Sequence, residues 1–306
     1  MKWRITQILL STTLLVFILL KIDFQKITQT FQNINISLFL MALIVSIVAI
    51  LINTKKWQIL LSVNNIFIPY CSLLKQNFLS IFYSIALVGQ LSGELIKAYR
   101  ITRGQQNKMK IISSIIGDKI TGVMALFVVI IIIAPIFLNS NASLAYFFVF
   151  ISIVGVLIIT VSLFIPAVFI KTFIHNLKLN KFKKINFHFF EVFEFYQTYR
   201  KGRSFYYILI ISLLYQLLAT VAFAFISESV NIHLSFAQYL WVFSLLSLLI
   251  FIPLSIAGLG IREGSLVFLL GLLNVPAEQA LSASLLLFVI TVIMGGVGAI
   301  FELTQK

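Results

Sequence analysis

Residues 76–95 read QNFLSIFYSIALVGQLSGEL. The stretch is mostly apolar and long enough to cross a hydrocarbon core about 30 Å thick once, but not twice. Basic residues lie on both sides of it, with Lys55, Lys56 and Lys75 before and Lys97, Arg100, Arg103, Lys108 and Lys110 after. Because Lys and Arg favour cytoplasmic loops, both flanks belong on one face, and the segment must enter and leave by that face. Its second half is interrupted by Gly89-Gln90-Leu91-Ser92-Gly93-Glu94. A re-entrant pair of half-helices meets the length, the charges and the break together, with an ordinary short span as the plainer alternative. Irregular backbone at membrane depth is tolerated where protein or a watery cavity surrounds it.

The rest of the chain has the same solvent in view. Of 306 residues, 60% are hydrophobic and 10% charged, and the mean hydropathy is +1.07, whereas soluble domains carry about a quarter charged residues. The runs Ile34–Asn53, Gly122–Leu138 and Leu144–Ile170 are long, apolar and nearly free of charge. The expected fold is an all-α integral membrane bundle of about seven to eight spans with two re-entrant, glycine-broken segments. The net charge of +14 is spread over membrane-flanking loops rather than gathered in a patch, which argues against a nucleic-acid partner. Lys2 and Arg4 precede a first apolar stretch without a small-residue cleavage site, so an uncleaved span with a cytoplasmic N-terminus is expected. The loops Asn139–Ser143 and Glu228–Ser235 hold no Lys or Arg and belong outside. Residues 171–204 form a basic cytoplasmic loop. Its Phe187, Phe189, Phe190, Phe193, Tyr196 and Tyr199 fit either a surface-lying amphipathic helix or packing against the bundle.

A second broken segment lies near the C-terminus. Phe236–Ile256 reads as a span broken at Pro253 and then by Gly258-Leu259-Gly260-Ile261-Arg262-Glu263-Gly264. Ser265–Leu273 is too short to cross, and Ala277–Phe301 then spans. Both halves of the chain therefore contain two spans, a glycine-broken segment bearing a glutamate, and a closing span. This suggests an internal repeat of 1–134 and 205–302 within one transmembrane domain covering 1–306.

Nine acidic residues are present, and Glu94, Asp118 and Glu263 stand where hydrocarbon is least able to accommodate them. Each has a basic neighbour: Lys97 and Arg100 after Glu94, Lys119 after Asp118, and Arg262 before Glu263. Glu94 and Lys97 share a helix face at i,i+3. Adjacent residues such as Arg262 and Glu263 diverge by about 100° and are expected to need other partners. Interfacial ion pairs that fix helix ends are one reading. The other is that Glu94, Asp118, Arg262 and Glu263 converge on a polar cavity, where amides freed at the glycine breaks suit a lipid phosphate. A single cysteine, Cys71, rules out an internal disulfide, and the three histidines show no metal-ligand spacing. No cofactor is expected.

The two broken segments also carry a resemblance. Leu87-Val88-Gly89-Gln90-Leu91-Ser92-Gly93-Glu94-Leu95-Ile96-Lys97-Ala98-Tyr99 and Ile252-Pro253-Leu254-Ser255-Ile256-Ala257-Gly258-Leu259-Gly260-Ile261-Arg262-Glu263-Gly264 resemble the two signatures of the flippase-like transmembrane domain of bacterial lysylphosphatidylglycerol synthases. Asn274-Val275-Pro276-Ala277-Glu278-Gln279-Ala280 resembles the turn after the second signature, and Asp118-Lys119 stands where the family usually has Glu-Arg. The chain departs from the pattern at Val88, where a proline is usual, and at Thr121-Gly122, where a further acid is common.

The resemblance implies a multi-pass protein of a bacterial inner membrane that moves a phospholipid or lipid-linked headgroup between leaflets. Gly89, Gly93, Glu94, Arg100, Asp118, Lys119, Gly258, Gly260, Arg262 and Glu263 would be its lipid-binding residues. No aminoacyl-transferase domain is expected beyond Lys306, so the synthase activity is not expected to carry over. An accessory role, presenting lipid to a separate lipid-modifying enzyme, is the main alternative. Catalysis on lipid, with Glu94, Asp118 and Glu263 as the acid–base groups, is a third.

Overall fold

The computed structural model describes residue 30 and residues 32–86, 92–105, 107–137, 150–155, 157, 204–251 and 260–304. Among them the secondary structure is helical, without a strand. The main elements are α1 (Ile36–Ser62), α2 (Tyr70–Ala86), α3 (Ser92–Thr102), α4 (Lys108–Phe137), α5 (Ser204–Ser229), α6 (Phe236–Phe251), α7 (Ile261–Gly271) and α8 (Ala277–Leu303). Four helices are long and apolar enough to cross a membrane, namely α1, α4, α5 and α8. The first span, the Leu144–Ile170 run apart from its few described residues, and the 171–204 loop up to residue 203 lie outside the described residues.

The exposed side chains show which solvent these helices meet. On α1, Ile36, Leu40, Ile44, Ile47 and Val48 are all exposed and follow a helical stripe. On α8, Val289, Val292, Ile293 and Ile300 do the same. Contiguous apolar faces of this size are unfavourable in water and favourable against lipid tails. The chain is a multi-pass membrane protein.

The chain divides into two compact units, one drawn from Met1–Leu51, Leu74–Lys97 and Tyr215–Lys306, the other from Ile52–Leu73 and Ala98–Leu214. In the second unit, Trp57, Leu60, Leu61, Leu73, Ile111 and Ile208 form a buried core. The Trp57 indole N–H donates to Ser114 Oγ at 3.1 Å, joining α1 to α4. In the first unit, Phe223 of α5 meets Tyr239 edge-on and stacks on Phe243, both of α6. The Gln216 amide donates to Ser244 Oγ at 3.2 Å along the same seam. Satisfying polar side chains across helices matters here because lipid offers them no partner.

The helix boundaries correct the charge reading. Lys55 and Lys56 belong to the last turns of α1, Lys75 lies inside α2, and Lys97 and Arg100 lie on α3 rather than in a loop. A lysine that pairs with a carboxylate inside the protein, as Lys56 and Lys97 do, need not mark the end of a helix. Helix α2 is described to Ala86 and α3 from Ser92, and the expected break at Gly89 lies outside the described residues.

Candidate functional site

The site is built around the start of α7. Gly260 precedes the helix with φ +82°, a left-handed conformation that glycine adopts without strain. Its N–H donates to Glu263 Oε2 at 2.6 Å, so the glutamate folds back over the first turn and satisfies an otherwise orphaned donor. The other carboxylate oxygen, Oε1, accepts from Arg262 Nη2 and from Ser284 Oγ of α8 at 3.4 Å. Arg262 and Glu263 therefore do pair, contrary to the expectation from their 100° divergence. Folding Glu263 back into its capping position and extending the long arginine side chain bring the two groups together.

Arg262 is buried and held on three sides. Its Nε donates to Ser284 Oγ at 3.1 Å, Nη2 meets Glu263, and the guanidinium lies 5.0 Å from the Phe288 ring centre. A guanidinium carries five N–H donors. Two are used in these bonds, and the remaining three have no acceptor among the described residues. Arg262 also lines a cavity of about 290 Å³ bounded by Ser84 and Ile85 of α2, Leu246, Ser247 and Ile250 of α6, and Thr291 of α8. The three hydroxyls on that wall donate to their own helices: Ser84 to Ile81 O, Ser247 to Phe243 O and Thr291 to Leu287 O. Their oxygens still have acceptor capacity. The cavity thus offers guanidinium donors on one side and hydroxyl acceptors around it. A larger concavity of about 400 Å³ lies beside Lys55, Gln58 and Phe67. None of its described lining residues is a buried charge, since Lys55 is exposed and bonded to Gln58 at 2.8 Å.

The other candidate residues form pairs of their own. Glu94 sits in the first turn of α3, where a carboxylate complements the helix dipole, and reaches buried Lys97 at 3.4 Å. Gly93 beside it is packed so closely on the Ser80 carbonyl of α2 that no Cβ would fit, and Ser92 Oγ donates to Tyr83 O at 3.1 Å. The chain therefore turns back on α2 at this point. Asp118 pairs at 2.8 Å with Lys56, 62 residues away on α1, rather than with its neighbour Lys119. Sequence reasoning missed Lys56 because it looked like a loop charge. The apolar residues on both sides of it, Ile52 and Leu60, were the available sign of a helix. Arg100 lies in the last turn of α3 and Lys119 within α4. Gly89 and Gly258 lie outside the described residues. No group of three or more metal-ligating side chains occurs among the described residues.

Both glycine-broken segments and the buried arginine fall within a stretch that matches a single family profile. That profile, described as the lysylphosphatidylglycerol synthase TM region, matches residues 4–298. The chain belongs to that family. The lysylphosphatidylglycerol synthase TM family is a membrane domain associated with lipid modification and flipping. A comparison with curated proteins returned no match.

Proposed function

We propose that this protein carries a phospholipid, or another lipid with a small phosphate-bearing headgroup, across the cytoplasmic membrane of a bacterium, with its N-terminus in the cytoplasm. It acts as a carrier rather than as an enzyme. The observation that carries this reading is the buried Arg262 at a cavity, with three N–H donors that find no acceptor among the described residues. Donors that face a cavity can be met there by a ligand, and a phosphate oxygen accepts from guanidinium with charge assistance. Glu263 balances the arginine's charge, so the site takes an anion without holding it as tightly as a lone cation would. The hydroxyl oxygens of Ser84, Ser247 and Thr291 suit a headgroup that brings N–H or O–H donors beyond its phosphate. The lipid tails would stay in the bilayer, alongside exposed apolar faces such as those of α1 and α8.

The test is transbilayer movement of labelled phospholipid in proteoliposomes. Arg262→Ala should slow it by at least about tenfold, the equivalent of a charged hydrogen bond of about 1.5–3 kcal/mol. Arg262→Lys should retain part of the rate. Unchanged rates in a folded Arg262→Ala protein would overturn the assignment. The family's association with lipid modification favours a second reading, presentation of lipid to a separate lipid-modifying enzyme. Co-purification with such an enzyme, without lipid movement by the pure protein, would select it.

A further inference from the structure

The two halves of the chain share more than hydropathy. Among the described residues each half holds four helices in the same order, α1 to α4 and α5 to α8. The ends match as well. After α1 and after α5 the chain turns on a left-handed asparagine, Asn65 at φ 57° and Asn231 at φ 62°. The isoleucine that follows each one donates back five residues, Ile66 to Leu61 O and Ile232 to Ser227 O. Helix α7 ends in the same way, on Asn274 with Val275 donating to Leu270 O, so the motif recurs three times among the described residues. Helices α3 and α7 each carry a glutamate as third residue, Glu94 and Glu263, and each is followed by a left-handed turn, at Gly104 and Asn274.

The directions of the helices are opposed. Along α8, Gly295 meets Phe82 and Ile85 of α2, Gly298 meets Phe78, and the Phe301 ring lies near both Phe78 and Lys75. Later residues of α8 meet earlier residues of α2, so the two run antiparallel. Helix α7 packs along both α6 and α8, and Arg262 at its start shares the cavity with the last turns of α6 and the middle of α8. It therefore returns toward the face from which α6 came, which is also where α8 begins. On this arrangement α2 and α6 enter from opposite faces, and both end at the cavity. The Asn35 N–H donates to Ser229 O at 3.1 Å, so α1 starts where α5 finishes.

Charge agrees with these directions. The ends of α1 and α3 and the starts of α2 and α4 hold Lys55, Lys75, Arg100, Arg103, Lys108 and Lys110. The described residues at the opposite face, 32–35, 229–236 and 271–278, hold no Lys or Arg.

We propose that α1–α4 and α5–α8 are two copies of one helical unit inserted in opposite directions. The α2–α3 hairpin enters from the cytoplasmic face and the α6–α7 hairpin from the outer face, and their inner ends meet at the Arg262 cavity. Paired broken segments in inverted repeats are how many carriers place a binding site near the bilayer midplane and open it to each side in turn. The C-terminal end of α8 then lies in the cytoplasm.

Single cysteines in a Cys71→Ser background test this without any transport assay, so failure here is distinct from failure of the lipid-carrier reading. His233→Cys and Gly271→Cys should react with a membrane-impermeant maleimide in intact cells or right-side-out vesicles. Phe67→Cys, Gln105→Cys and Thr304→Cys should react only after permeabilisation. All five positions are exposed, and a Cβ at Gly271 meets open space. Two or more sites per face cover the loss of any one variant, and labelling in detergent shows that each thiol is reactive. Gly271→Cys sharing the accessibility of Gln105→Cys would mean that α7 crosses onward, and the inverted arrangement would be wrong. Labelling of Thr304→Cys from outside would overturn it equally.

Discussion

A buried guanidinium needs partners, and Arg262 has a carboxylate, a serine hydroxyl and an aromatic face. Sequence alone located the arginine and the glutamate but misjudged their geometry, because angular separation on a helix says nothing about a glutamate that folds back to cap a glycine. Ser284 was invisible for a different reason. It lies on another helix, amid an apolar run where a serine carries no pattern. Glu263→Gln should weaken the cap and leave Arg262 uncompensated, raising anion affinity while slowing release, which equilibrium binding and efflux measured together would reveal. The Lys56–Asp118 pair makes a separate prediction. Both side chains are almost fully buried, so Asp118→Asn alone should cost about 3–5 kcal/mol by stranding the ammonium. The double variant Lys56→Met/Asp118→Leu should recover most of that loss in thermal unfolding of the detergent-solubilised protein.

At the scale of helices, glycine sets how closely α8 approaches α2. A Cβ at Gly298 would run into the Phe78 carbonyl, which is backbone and cannot yield, whereas a Cβ at Gly295 would lie 2.7 Å from Ile85 Cδ1, the end of a mobile side chain. Gly298→Ala should therefore lower stability by about 1–3 kcal/mol, with Gly295→Ala milder. Gly122→Ala on α4, where a Cβ meets nothing within 4 Å, should be neutral or stabilising by up to about 1 kcal/mol. Melting of the three variants side by side gives the order. Glycines cluster in both segments where breaks were expected, but residues 87–91 and 252–259 lie outside the described residues. Helix α3 was legible in part, since Glu94 and Lys97 share a face at i,i+3, while the mixed charge of SGELIKAYRIT hides how far the helix runs. Helix α2 begins at Tyr70, six residues ahead of the apolar stretch that drew attention to it.

For the whole molecule, composition was enough to identify the solvent, and placing the cavity took coordinates, since α2, α6, α7 and α8 bring residues 84 and 291 to one wall. The cavity's size then limits the cargo. About 290 Å³ lies at the lower edge of small-molecule sites, which run from roughly 300 to 1,000 Å³. Phospholipids with short headgroups should compete with one another for movement in proteoliposomes, while a lipid-linked oligosaccharide should not compete with them.

The glycines that admit no side chain also constrain how this sequence can drift. At 93 and 298 any replacement places a carbon against a carbonyl oxygen of α2, whereas at 122, 271 and 296 a side chain would point into open space. Across members of the family, the first two positions should stay glycine while the last three wander. Variation at 298 as free as at 296 would mean that relatives do not share the close approach of α8 to α2.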